Sequence, residues 1–443
     1  MEAERARRTA FVPHSTPPEI TSAEGAYLVT PDGRRILDAA GGAIVANIGW
    51  GRAEVAEVSA RVLQECTYIV PPWANEHRSR LVERLVANWL PKGMTRALFV
   101  SGGSESVEAA VRLARQYHVA SGHESRWKVI GTDMSYHGVS LGALSVGHHT
   151  GRRKGFDPLL VDHPKTRAPY SLEGSLGRIS PDPRLTAADA LEETILRQGP
   201  DTVSAFICEP VAGAAAGVNV PPANYWPRVR EICSKYGVLL IADEVMSGFG
   251  RTGTKFGVDL WDVIPDILVA GKGLAGGYAP MGGVFATGEV VAPLAARGED
   301  LMFYTFSGHP ASCAVADKVL EIMEREQLVE RSARMGALLH ERLKALESHP
   351  NVAEVRGVGL FAGIELVKDK ATLERFPAAA GMAAAVSAAG LQRGVFYYPG
   401  GSGAARDCLL IGPAFTINGE DIDIIASVLP EAINDAVASM SAN

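Results

Sequence analysis

The stretch VLLIADEVMSGFGRTG, residues 238–253, decides how the chain folds. Five apolar residues run without a polar break and end on Asp243. A run with no alternation predicts a strand buried on both faces, as in a parallel sheet sandwiched between helices. Similar runs occur at 97–100, 128–131, 203–208, 267–270 and 283–286. Helical patterns lie between them. SESVEAAVRLARQYHV spaces Val107, Val111, Ala114 and His118 on one helical face, and NYWPRVREICSKYG stops on Gly237. Alternation of strands and helices predicts an α/β fold with a mainly parallel central sheet. In such sheets ligands bind beyond the carboxyl ends of the strands, which is where Asp243 falls.

The rest of the chain bounds the answer. Its 443 residues are too many for one small core, which predicts two domains, or one large domain with an appendage. With 47% hydrophobic and 21% charged residues and a net charge of −7, it has no basic footprint for nucleic acid. MEAERARRTAFVPHST has mixed charge and no apolar centre, so it reads as a short arm rather than a signal peptide. The longest uncharged run, 377–392, is rich in alanine and broken by Gly381, and predicts a packed helix rather than a membrane span. Five scattered cysteines without metal-ligand spacing predict buried small side chains and a reducing cytoplasm. Past residue 310 come two long helical patterns, strands around a glycine turn at 352–367, and a last helix. AYLVTPDGRRILDAAGG near the start predicts a hairpin turning at Asp32-Gly33. The expected division is a large α/β domain over 61–312 and a smaller α+β domain from 1–60 and 313–443. Residues 163–184 read as a long surface loop.

ILVAGKGLAGGY, residues 267–278, holds one lysine among glycines. A phosphate-binding P-loop needs a glycine six residues before the lysine and Ser or Thr after it. Asp266 and Gly273 stand there instead. Gly271, Gly273 and Gly276 do spell the dinucleotide fingerprint, but that motif must open a helix. Here GGYAPMGGVFA follows, and a helix through it would lose about 1 kcal/mol per glycine and about 3 for Pro280. The third reading makes Lys272 a reactive amine at a strand end. It has company at other strand ends: the Asp243 carboxylate, and ALFVSGGSES, whose glycine turn opens a helix able to hold a phosphate on its N–H groups. An amine, a phosphate cradle and a carboxylate are what pyridoxal phosphate needs. They bond its aldehyde, anchor its phosphate and keep its ring nitrogen protonated.

LLIADEVMSGFGRTGTKFG, followed by PDILVAGKGLAGGYAPMGGV, closely resembles the signature of the class III (omega) aminotransferases, fold-type I pyridoxal-phosphate enzymes. The resemblance runs from DAAGGAIVANIGWG to LLIGPAF, most of the chain. It implies that Lys272 forms the Schiff base and that Asp243 partners the pyridine nitrogen. Val245 would pack on one ring face, and Tyr136, in SYHG, on the other. Gly103 and Ser104 would bind the phosphate, with Thr305 reaching it from the neighbouring subunit of a homodimer with shared active sites. Glu209, in CEPVAG, matches a glutamate that lies near the cofactor and often gates an arginine. His137 is left outside the catalytic set as a backbone support, and Arg251 is read as structural. Trp73 either lines the substrate entrance or simply packs. Relatives carry a carboxylate-binding arginine near the C-terminus, and Arg406 is the only arginine in PGGSGAARDCLLIGPAF.

The activity implied is a ping-pong transamination from an amine or omega-amino acid to pyruvate or 2-oxoglutarate, with Lys272 carrying the proton. Other outcomes on the same scaffold are decarboxylating transamination, aminomutation and racemisation. A nucleotide-binding dehydrogenase is the distant rival.

Overall fold

The computed structural model describes residues 18–172, 187–301 and 304–441. The arm at 1–16 and most of the loop expected at 163–184 therefore lie outside the described residues. At the centre stands a seven-stranded sheet. In chain order its strands are β1 (Met94–Val100), β2 (Lys128–Thr132), β3 (Lys165–Thr166), β4 (Val203–Cys208), β5 (Leu239–Asp243), β6 (Ile267–Ala270) and β7 (Gly282–Thr287). Across the sheet the order is β1-β7-β6-β5-β4-β2-β3. β7 runs antiparallel to both its neighbours, and every other pairing is parallel. The carboxyl ends of β1, β2, β4, β5 and β6 thus share one edge.

The unbroken apolar runs have the expected cause. Phe206, Leu240 and Leu268 face one buried core, and Ile207, Ile241 and Val269 face the other. Each strand alternates between two covered faces, so neither parity can be polar. Two expectations shift. β5 begins one residue later and takes in Asp243. The start of the 163–184 segment is no loop, because Lys165 and Thr166 pair with Gly131 and Thr132 as an edge strand.

The helix over Gly103–Ala120 covers the predicted stretch and buries Val107, Ala114 and His118. The helix Tyr225–Tyr236 ends on Gly237, whose φ of 62° is the left-handed cap that a side chain would strain. The N-terminal hairpin pairs Tyr27–Val29 with Arg35–Asp38, turning through Gly33 at φ 82°. Val395–Phe396 adds to it in parallel. A further four-stranded sheet holds Val352–Gly357, Ala362–Leu366, Cys408–Ile411 and Tyr398–Gly400. The alanine-rich helix is shorter than expected, Met382–Gln392, because Gly381 sits at φ 54° and breaks the approach to it. No helix among the described residues is long and apolar enough to cross a membrane. Four of the five cysteines are buried, with Cys66 half-buried.

Arg251 ties three distant segments together. Its guanidinium donates to the carbonyls of Ala46 (3.2 Å), Leu360 (2.9 Å) and Pro413 (2.7 Å), and lies 4.6 Å from the Phe415 ring centre. Burial without a paired carboxylate pulls it down to about 9, with Asp38 the only charge opposing that. Arg251→Met would leave buried carbonyls without donors, so we expect a loss of about 3 kcal/mol or more. A urea midpoint within error of wild type would contradict this.

Candidate active site

Along the carboxyl edge of the sheet, five loops close around a cavity of about 310 Å³. β5 delivers Asp243 at its last residue. β6 delivers Lys272 two residues past its end, and β4 delivers Glu209 one residue past its end. The loop after β2 supplies Tyr136 and His137. The turn after β1 supplies Gly103 and Ser104, and Val245 follows Asp243. All of these line the one cavity. The structure thus places Lys272, Asp243, Glu209, Tyr136, Val245, Gly103 and Ser104 around one cavity.

Lys272 stands at φ 40°, in the left-handed region that lysine rarely adopts. A short 3-10 turn, Lys272–Leu274, holds it there, with N–H groups of Ala275 and Gly276 donating to its carbonyl. Asn47 donates to the next carbonyl, that of Gly273, at 2.8 Å. No helix follows this turn. The chain goes directly into β7, so the dinucleotide reading fails on structure as well. Burial lowers the basicity of the Lys272 amine, while Asp243 and Glu209 pull the other way.

Asp243 is 3% exposed. One carboxylate oxygen lies 2.7 Å from Nδ1 of His137, and the other accepts from the Val245 N–H at 3.1 Å. His137 is thus more than the backbone support expected of it. Its buried ring orients the acid. Nothing in the sequence flags that role, because the two residues are 106 positions apart. Glu209 likewise works on backbone, accepting from Tyr136 N–H (3.0 Å) and Gly213 N–H (3.1 Å). Among the described residues it pairs with no arginine.

The turn after β1 is shaped for an anion. Gly102 is the N-cap of helix Gly103–Ala120, and no side chain caps that helix. Its first N–H groups are left for whatever fills the cavity. A Cβ on Gly103 would come within 3.0 Å of Val245, and one on Gly138 within 2.4 Å of the Ser104 hydroxyl. The Ser106 hydroxyl, bonded to the Ala270 carbonyl at 3.0 Å, locks this helix start against β6. Amine, carboxylate and uncapped helix start in one cavity fit the aldehyde, ring nitrogen and phosphate of pyridoxal phosphate.

Three other expected residues sit elsewhere. Arg406 lines a second cavity of about 410 Å³ that meets the first at Tyr136, Met246 and Lys272. Trp73 is 69% exposed and lines neither. Thr305 is also exposed, beside Phe306, whose ring meets that of Tyr68 edge-on at 6.3 Å.

Residues 11–433 match the family described as Aminotransferase class-III. The chain is 37% identical to an uncharacterized aminotransferase of Schizosaccharomyces pombe, over 97% of this chain and 95% of the relative. It is 35% identical to a putrescine–pyruvate aminotransferase of Pseudomonas aeruginosa, over 96% and 92%. A transaminase crystal structure from the marine bacterium Virgibacillus superposes with a TM-score of 0.90 at 32% identity, covering 99% of each chain.

Burial pushes the Glu209 carboxyl up to about 7, a rise that His137 opposes and Asp243 reinforces. The folded protein then holds this proton more tightly than the unfolded chain does. The resulting stability is whole below about pH 4.5 and is lost as pH rises through about 7. Urea unfolding of the cofactor-free protein across that window is expected to show falling stability, and Glu209→Gln should flatten the fall. An identical slope in the variant would assign the effect to other groups.

Proposed function

The chain belongs to the class III aminotransferase family of pyridoxal-phosphate-dependent enzymes, and we propose that its donor is an amine or omega-amino acid and its acceptor pyruvate or 2-oxoglutarate. The observation that carries this reading is the single cavity joining the Lys272 amine, the Asp243 carboxylate and an uncapped helix N-terminus. The relative named for putrescine and pyruvate supports an amine donor.

Bound pyridoxal phosphate supplies an aldehyde that captures amines and a ring that draws electrons from the carbon beside the nitrogen. Lys272 is the residue that would hold it, through its amine. The same amine, when free, would carry the proton between the donor carbon and the cofactor. Burial serves that exchange, because an amine of lowered basicity is more often free to accept a proton near neutral pH. Asp243, gripped by His137, would partner the ring nitrogen. Val245 and Tyr136 would wall the ring, and the N–H groups at Gly103 and Ser104 would receive the phosphate. Glu209 keeps the Tyr136 backbone in place through its 3.0 Å bond.

The same reading includes a homodimer in which the partner subunit's Thr305 completes the phosphate site. Thr305 is exposed beside Phe306, whose ring meets Tyr68, and both aromatics are open in the single chain, which supports that arrangement. It includes the division at 61–312 against 1–60 and 313–443, and a reducing cytoplasm, suited to five free cysteines.

Purified protein is expected to be yellow with bound cofactor and to bleach when an amine donor is added. Lys272→Ala, supplied with pyridoxal phosphate, should lose about 10²–10⁴-fold in turnover or more. Full activity in that variant would sink the assignment.

A further inference from the structure

Beyond Tyr136 the second cavity is walled in part by small side chains, among them Ala43, Ala214, Ala383 and Ala384. Two arginines interrupt them, Arg152 and Arg406, and their situations differ. Arg406 already has partners. Its guanidinium donates to the Phe376 carbonyl, and its Nε lies 3.6 Å from the buried Asp407 carboxylate, which offsets its charge. Arg152 makes no ion pair and no side-chain hydrogen bond among the described residues, yet it lines the same cavity. Its neighbour Arg153 is committed to structure, donating to the carbonyls of Leu144 (2.9 Å) and Gly147 (3.0 Å) and to Asp157 (3.2 Å). Of two adjacent arginines, one fastens the turn and the other is left free over the cavity.

The turn that carries Arg152 is fastened to the loop that carries Arg406. Thr150 N–H donates to the Ser402 hydroxyl at 2.8 Å, the two hydroxyls lie 3.0 Å apart, and Gly403 N–H donates to the Thr150 hydroxyl at 3.1 Å. On the same turn the His149 ring meets the Tyr136 ring at 5.7 Å. Of all charges, that of Arg152 acts most strongly on both the Tyr136 hydroxyl and the His149 ring. Arg152 is therefore close to the reacting end of the cavity and held there by a clasp between segments 252 positions apart.

We propose that Arg152 is a specificity-determining residue that receives the anionic end of the substrate, a carboxylate of the keto acid or omega-amino acid. This rests on the transaminase reading above. A guanidinium presents a planar fork that matches a carboxylate, and one with no resident acid gives up no existing pair when the substrate arrives. Arg406 must first be separated from Asp407 and the Phe376 carbonyl to do the same.

The test uses holoenzyme carrying Arg152→Gln, Arg152→Lys or Arg406→Gln. Arg152→Gln is expected to raise KM for pyruvate and 2-oxoglutarate about 10-fold, equivalent to about 1.4 kcal/mol, with kcat little changed. KM for an uncharged aldehyde acceptor should move much less, and Arg152→Lys should recover part of the loss. Binding of glutarate, followed by titrating the cofactor absorbance, should weaken by a similar factor. Wild-type KM and wild-type glutarate affinity in Arg152→Gln, with the loss appearing in Arg406→Gln, would overturn the proposal. Holoenzyme that no amine donor bleaches would instead overturn the transaminase reading, while the glutarate titration would still decide whether Arg152 holds a carboxylate.

Discussion

A carboxylate withdrawn from water must be given donors, and the site is organised around how Asp243 receives them. One comes from its own chain at Val245 and the other from the His137 ring, 2.7 Å away. The first fixes the turn after β5, which sets Val245 against Gly103 and Gly271. The second fixes the loop after β2, which carries Tyr136 beside His137. That loop is also held by Glu209, from the end of β4. A single buried acid thus aligns three strand ends, and Lys272 and the helix start at Gly103 close the ring. Deletion of one donor would leave a charge that the protein interior tolerates poorly.

Glycines set how closely these loops approach. Gly103 and Gly138 lack a Cβ where one would strike Val245 or Ser104. β7, the one strand reversed in the sheet, serves the same end. Its Gly282 passes so near the Ser106 hydroxyl and Gly102 carbonyl that a Cβ would lie 2.3 Å and 2.5 Å from them. The helix start is therefore pinned from β6 by a hydrogen bond and from β7 by close contact, without a capping side chain that would compete with a ligand.

The sheet was legible in the sequence because both its faces are buried, so five-residue apolar runs have no other simple explanation in a chain of this composition. β3 was not, since two residues pair through backbone alone and leave no side-chain pattern. The cluster of Lys272, Asp243 and the helix start at Gly103 could be read because strand ends are where such residues gather. The partner of Asp243 could not, as His137 acquires its role only when two loops meet. Arg152 and Arg153 are indistinguishable in the sequence, and only their surroundings separate fastening from binding. Gly381 was visible as an interruption, yet how much helix it removed depended on its φ.

Lys272 at φ 40° has a wider meaning for how this chain can change. A non-glycine residue in the left-handed region holds a backbone conformation that costs about 1–2 kcal/mol. The position would be more comfortable as glycine, so fold stability alone gives no reason for a lysine there. Stability and chemistry pull in opposite directions at this one α-carbon. A lineage that lost its need for the amine could drift away from it without any loss of folded structure. Inactive descendants of this fold would then be expected to keep the sheet, the helix start and the buried acid, and to differ first at this residue.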